Sequence, residues 1–308
     1  MRNAFIDAII AECGRREDLF IISGDAGLGV FDDFRKKYPG RFLNLGVAEQ
    51  NAVGFSAGLS LAGYKVYLYN LVPFVLYRCY EQVRNDICYD ELPVTLVGIG
   101  SGVTYAPQGM THYSVEDIGI ARTLPNLTVL SPIDPVEARA AAHYSLGARG
   151  PVYVRLAKKG ERAIHRDEDF DIARPYQLED GEDIAIVFHG SIGEEVVDAR
   201  KILEKEGIHP KLISLAMLQP MNFKELDLLL KDIKYAVSVE EHFIDTGLGG
   251  ILAREYVKSN PRWKLFSLGI PNKFIHEIKD AKGMRDHFGI SAKTIAEFIK
   301  GISLNNAK

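Results

Sequence analysis

The stretch Arg41-Phe42-Leu43-Asn44-Leu45-Gly46-Val47-Ala48-Glu49-Gln50-Asn51, continued by Ala52-Val53-Gly54-Phe55-Ser56-Ala57-Gly58-Leu59, reads as a short apolar strand running into a helix. Glu49 stands at the junction, where the positive end of the helix dipole favours a carboxylate. On the local pattern alone it is a solvated helix-start residue. Outward from this junction the same alternation repeats. Apolar runs at 19–22, 66–69, 94–99, 128–131 and 152–155 are separated by helical stretches, which predicts a largely parallel, doubly wound sheet. Residues 161–183 lose the regularity and are dense in charge, with Arg174-Pro175 and Asp180-Gly181 as breakers, so they read as a linker. A second series follows, with strands at 184–188, 211–214, 235–240 and 264–268 between helices near 193–206, 224–231 and 248–258. The expected architecture is α/β, with two mostly parallel sheet domains at 1–160 and 184–308. Residues 304–308 are expected to fray.

The chain has 308 residues, 47% apolar and 25% charged, which is ordinary globular composition with length for two domains. A net charge of −4 gives no basic footprint for nucleic acid or an anionic membrane. No run approaches the length of a membrane span, and the start has no signal-peptide core, so a cytoplasmic location is the expectation. Cys13, Cys79 and Cys88 are odd in number and lack paired spacing, which argues against a structural zinc site or a disulfide framework.

Three further groups of residues stand out. An aromatic segment holds Phe74 and Tyr77, which share a face at helical spacing, after the aliphatic Leu71. A loop reads Tyr105-Ala106-Pro107-Gln108-Gly109-Met110-Thr111-His112-Tyr113-Ser114-Val115-Glu116-Asp117, with a lone histidine that by itself reads as solvated or structural. Arg2 precedes the first helix and Arg155 ends the strand Val152-Tyr153-Val154; guanidinium groups match anionic ligands with paired donors.

Taken together, Val47-Ala48-Glu49-Gln50-Asn51 and Gly109-Met110-Thr111-His112 resemble the pyrimidine-binding domain of transketolases, and Glu240-Glu241-His242 with Gly247-Leu248-Gly249-Gly250 resembles their C-terminal domain. The resemblance spans essentially the whole chain. It implies thiamine diphosphate as cofactor, with Glu49 bonding the pyrimidine ring nitrogen as a proton relay, and Phe74, Tyr77 and Leu71 walling the ring. Asp25 would lie near the cofactor, and His112 would move protons at substrate oxygens. Arg2 and Arg155 would hold the substrate's anionic end. Gln108 stands where the family carries an aspartate that reads a substrate hydroxyl, and Gly29 where a serine assists the phosphate contact. The family's Gly-Asp-Gly motif for Mg²⁺ is missing, since Ala26 breaks Ser23-Gly24-Asp25-Ala26-Gly27. The resemblance therefore implies a split enzyme, in which an N-terminal partner subunit supplies the Mg²⁺ and diphosphate site in an α2β2 assembly. Its expected chemistry is transfer of a two-carbon ketol unit from a ketose to an aldehyde, on a sugar other than the standard pentose phosphates. A 2-oxoacid dehydrogenase β subunit, a deoxyxylulose-phosphate synthase and a non-catalytic scaffold are the alternatives. The glycine pair at 249–250 admits both a phosphate-binding helix start and a plain tight turn, with the turn favoured.

Overall fold

A computed structural model describes residues 1–27, 29–158, 160–166 and 170–305. Of the residues expected to fray, 304 and 305 continue the helix Ala292–Asn305, and 306–308 lie outside the described residues. The strands are β1 (Leu19–Ser23), β2 (Phe42–Asn44), β3 (Lys65–Leu71), β4 (Val94–Ile99), β5 (Thr128–Leu130), β6 (Val152–Leu156), β7 (Tyr176–Glu179), β8 (Asp183–Phe188), β9 (Lys211–Ser214), β10 (Met217–Gln219), β11 (Ile233–Phe243) and β12 (Lys264–Ile270). They form a seven-stranded sheet of order β10-β5-β6-β4-β3-β1-β2 and a five-stranded sheet of order β12-β11-β8-β9-β7. Pairing is parallel except at β10–β5 and β7–β9. The two mostly parallel α/β units are those anticipated from the alternation. All six residues of β4, Val-Thr-Leu-Val-Gly-Ile, are buried, as a central parallel strand covered on both faces requires.

Two strands depart from the expected division. β7 lies inside the stretch read as linker, yet it forms the edge of the second sheet, antiparallel to β9. An edge strand needs only one protected face, so its alternation of Gln177 and Glu179 with Tyr176 and Leu178 is weak and passes for loop. β10 belongs by sequence to the second unit and completes the first sheet against β5, lacing the two units together.

The helix Pro135–Gly147 shows how local chemistry fixes boundaries. The side chain of Asp134 accepts from the Glu137 N–H as an N-cap, and Pro135 occupies the first helical position, where no amide donor is needed. By contrast, the aromatic segment does not form a regular helix. Two π-helical pieces, Pro73–Tyr77 and Val83–Cys88, flank a single α turn at Tyr80–Gln82. Cys13, Cys79 and Cys88 are buried free thiols, and burial pushes Cys79 and Cys88 up to about 12. Among the described residues no helix is long and apolar enough to cross a membrane.

Candidate active site

In the first sheet β1 lies between β2 and β3, so the chain leaves β1 toward one edge and then crosses back to build toward the other. Such a reversal opens a crevice at the carboxyl ends of the strands, where ligands of open α/β sheets bind. Most of the residues singled out from the sequence end up along this edge. Asp25 follows β1, the helix headed by Glu49 follows β2, Leu71 ends β3, and the loop with Gln108 and His112 follows β4. Asp25 is exposed in a left-handed conformation (φ 51°), and its N–H bonds to Asn44 Oδ1 at 3.0 Å, tying the β1 end to the β2 end.

Glu49 is the first residue of the helix Glu49–Leu61 and only 6% exposed. Its carboxylate lies 2.9 Å from Arg78 Nη1. The Arg78 guanidinium sits 4.6 Å from the centre of the Phe74 ring, and that ring meets the His112 imidazole edge-on at 5.7 Å. Glu49, Arg78, Phe74 and His112 thus form one continuous run. Thr111 Oγ1 lies 2.8 Å from His112 Nδ1, so the hydroxyl fixes how the ring is presented. The turn before it depends on Gly109, at φ +77°, whose carbonyl accepts the His112 N–H at 3.0 Å. Arg78 was not among the sequence candidates. Its position four residues after Phe74 is the signal that could have found it.

Tyr77 leaves this run. The expectation that it shares a face with Phe74 assumed an α-helix, and in the wider turn of a π-helix positions three apart diverge. Its hydroxyl donates instead to Glu116 Oε2 at 3.1 Å. Burial, with the charges of Asp117 and Glu116, pushes its pKa well up. Gln108 is exposed on the 3-10 turn Ala106–Gln108.

Arg155 requires a correction. Its side chain is 0% exposed, with Nε donating to Asp117 Oδ2 at 2.8 Å and Nη2 donating to the carbonyls of Ser114 (3.2 Å) and Glu241 (2.9 Å). Enclosed between the two units, it does not reach a soluble anion. Besides Arg78, two further cations stand near the strand ends, Lys158, two residues past β6, and Arg2. Lys158 Nζ stands 4.6 Å over the Tyr105 ring, and the Arg2 charge acts on Tyr105 and on Tyr69. Lys158 escapes a sequence reading that stops at the last strand position. The first residues beyond a parallel strand are the ones that turn toward the crevice.

Residues 1–162 match the transketolase pyrimidine-binding domain and residues 176–295 the transketolase C-terminal domain. The chain belongs to the transketolase family. An apulose-4-phosphate transketolase subunit of Actinobacillus succinogenes is 34% identical over 307 residues, covering 99% of this chain and 98% of that protein. A 6-deoxy-6-sulfo-D-fructose transketolase subunit of a Clostridium species is 30% identical over 301 residues, covering 96% and 92%. The solved structure of a split-gene transketolase, described as an inactive beta4 tetramer, superposes with a TM-score of 0.88 at 27% identity over 97% of both chains.

Transketolase membership makes this a thiamine diphosphate-dependent type of enzyme. The residues present suit the aminopyrimidine end of that cofactor: a nearly buried carboxylate at Glu49, joined through Arg78 to the aromatic ring of Phe74. Among the described residues no three His, Cys, Asp or Glu side chains converge to hold a metal ion. The transketolase C-terminal signature has a structural occupant. Glu240 accepts from the N–H groups of Leu248 (2.7 Å) and Gly249 (2.8 Å), so the start of the helix Leu248–Ser259 is filled by the chain's own carboxylate. Burial raises that carboxyl to about 7. This favours the tight-turn reading of the glycine pair.

Proposed function

We propose that this chain is the C-terminal subunit of a two-chain transketolase that moves a two-carbon ketol unit from a ketose donor to an aldehyde acceptor. The carrying observation is the Glu49–Arg78–Phe74–His112 run at the strand ends. Thiamine diphosphate, when bound, supplies the carbon nucleophile and the electron sink. The chain's own residues orient it and move protons. Glu49 offers the carboxyl for proton transfer at the pyrimidine nitrogen, with Arg78 fixing the direction of its oxygens. Phe74 walls the ring from water, aided by the aliphatic surface of Leu71, and His112 exchanges a proton with a substrate oxygen.

An N-terminal partner subunit would carry the Mg²⁺ and diphosphate ligands. A solved relative made of β chains alone is described as inactive, which supports this need. The helix headed by Glu49 exposes Asn51, Phe55, Gly58 and Leu61, a face without charge that suits association in an α2β2 assembly. For the substrate, Gln108 gives a neutral amide where an aspartate is usual. The names of two relatives specify apulose 4-phosphate and 6-deoxy-6-sulfo-D-fructose, both outside the ordinary pentose phosphates and both anionic. Lys158 and Arg2 at Tyr105 provide the matching cations, with Gln108 and Asp25 at the hydroxyl-reading side.

The test is reconstitution with the N-terminal subunit, Mg²⁺ and thiamine diphosphate, followed by assay on xylulose 5-phosphate and a panel of branched and sulfonated sugars. Turnover is expected only from the complex, with the highest specificity constant on a modified anionic sugar. Turnover by this chain alone would refute the two-chain reading, release of carbon dioxide the ketol transfer, and a best rate on xylulose 5-phosphate the inference from Gln108.

A further inference from the structure

The loop after β4 carries Gln108 and His112, yet its packing belongs to the second unit. Val103, Ala106, Tyr113 and Val115 are buried in the same cluster as Ile186, Val239, Ile270 and Ile290. Both ends of the loop are fastened to three consecutive residues of β11. At the entry, the carboxylate of Glu241 accepts from the Val103 N–H at 3.4 Å and from Ser191 Oγ at 2.6 Å, while its other oxygen takes Arg285 Nε. Gly102 sits at φ +59°, and a Cβ there would collide with the Glu241 carboxylate, so loop and carboxylate close on each other with no room for a side chain. At the exit, Phe243 N–H donates to the Val115 carbonyl at 2.8 Å and the Ile118 N–H donates to His242 Nε2 at 3.1 Å. The Nη2 of Arg155 bridges the Ser114 and Glu241 carbonyls. Between these anchors the span bearing Gln108, Met110 and His112 reaches out to the crevice.

We infer that Glu241 is a positioning residue for His112: the second unit, through Glu241 and its lock on Gly102 and Val103, sets where the imidazole stands in the active site. This rests on the proposed role of His112. The chemical reason is that proton transfer depends steeply on distance, and a displacement of about 1 Å costs roughly a hundredfold in rate. A loop fastened at both ends to one strand moves only as that strand allows.

Glu195 gives an internal control. It also binds Arg285, at 3.2 Å, but from the helix Gly193–Glu204, and makes none of the loop contacts described for Glu241. In the complex with the N-terminal subunit, Glu241→Gln places an amide N–H₂ against either Arg285 or the Val103 N–H. It is expected to lower kcat by about tenfold or more, with thiamine diphosphate affinity unchanged within about twofold. Hydrogen exchange should accelerate in peptides covering 100–116 and not in those covering 49–61 or 264–270. Glu195→Gln should leave both kcat and loop exchange near wild type. The inference fails if the two variants lose activity equally, if exchange rises across the whole second unit, or if the loop is freed while kcat holds. Should Glu241→Gln not fold, Gly102→Ala attacks the same lock from the loop side and must give the same contrast. If the wild-type complex turns over no sugar, the proposed function falls on its own, and the exchange contrast still decides whether Glu241 pins the loop.

Discussion

Arg78 and Arg155 are the same residue in two opposite settings. Arg78 stands at the crevice, 45% exposed, holding Glu49 and covering Phe74. Arg155 lies in the seam between the two units, fully enclosed with Asp117 and the Glu241 carbonyl. The crevice keeps charge accessible, where it can act on a ligand. The seam spends its charge on the protein itself, joining Arg155, Asp117, Glu241 and Arg285 across units that share no continuous strand. What separates binding chemistry from scaffolding in this molecule is therefore enclosure rather than residue type.

The sharpest way to break that contrast is Arg155→Ala. It strands Asp117 as a buried, unpaired charge, and the expected loss is about 3–5 kcal/mol of stability, read by urea unfolding of the chain. Unchanged stability together with weaker binding of an anionic sugar would return Arg155 to the site. Glu49→Gln comes next and should do the reverse: the amide keeps shape and removes acidity, so turnover of the complex falls by a factor on the order of a hundred while the assembly and its melting temperature hold. Near-normal turnover would make Glu49 a helix-start residue and nothing more. Lys158→Ala is expected to raise KM for a phosphorylated or sulfonated donor by an amount equivalent to about 1.5–3 kcal/mol, the value of a charged hydrogen bond, with little effect on folding. Equal KM values before and after the substitution would remove Lys158 from the anion subsite.

The smallest expected effect is in pH. The seam also holds His165, 3.3 Å from both the Asp134 and the Glu137 carboxylates. Burial raises Glu137 and Glu240 to about 7. For His165, burial pulls down, but the neighbouring Asp134 and Glu137 carboxylates prevail and raise it. All three bind protons more tightly folded than unfolded, so their contribution is lost as pH rises. For the two carboxyls the loss runs from the ordinary 4.5 through 7, and for the imidazole upward from 6.5. His189 and His242, lowered chiefly by burial, act oppositely and only as pH falls below 6.5. The melting temperature of the chain should therefore decline by a few degrees between about pH 6.5 and 8, and decline less in Glu240→Gln. A rise over that interval would contradict the signs assigned to the seam.

The periodic runs made both sheets legible, because a parallel strand buried on two faces must be apolar throughout and a crossover helix must follow it. Glu49 and His112 were singled out through the family resemblance; the junction alone reads Glu49 as a solvated helix-start residue, whereas the fold leaves it only 6% exposed. β10 was not legible, since three residues carry no period, nor was β7, whose edge position demands little of its side chains. The face shared by Phe74 and Tyr77 failed because π-helical turns replaced the α turn that the spacing assumes.

The succession of most strands along the chain was set by the sequence alone, because a buried strand's apolar run and the helix that follows it depend on neighbours within a few residues. Only the tertiary structure decided that Arg155 is enclosed, that Lys158 and Arg78 stand near the strand ends, and that the His112 loop is fastened to β11. Those outcomes hang on contacts between residues far apart in the chain, such as Arg155 with Glu241 across 86 positions and Val103 with Glu241 across 138. No local pattern records such contacts, since the free energy of burying a charge or closing a loop is fixed by what the fold brings opposite it.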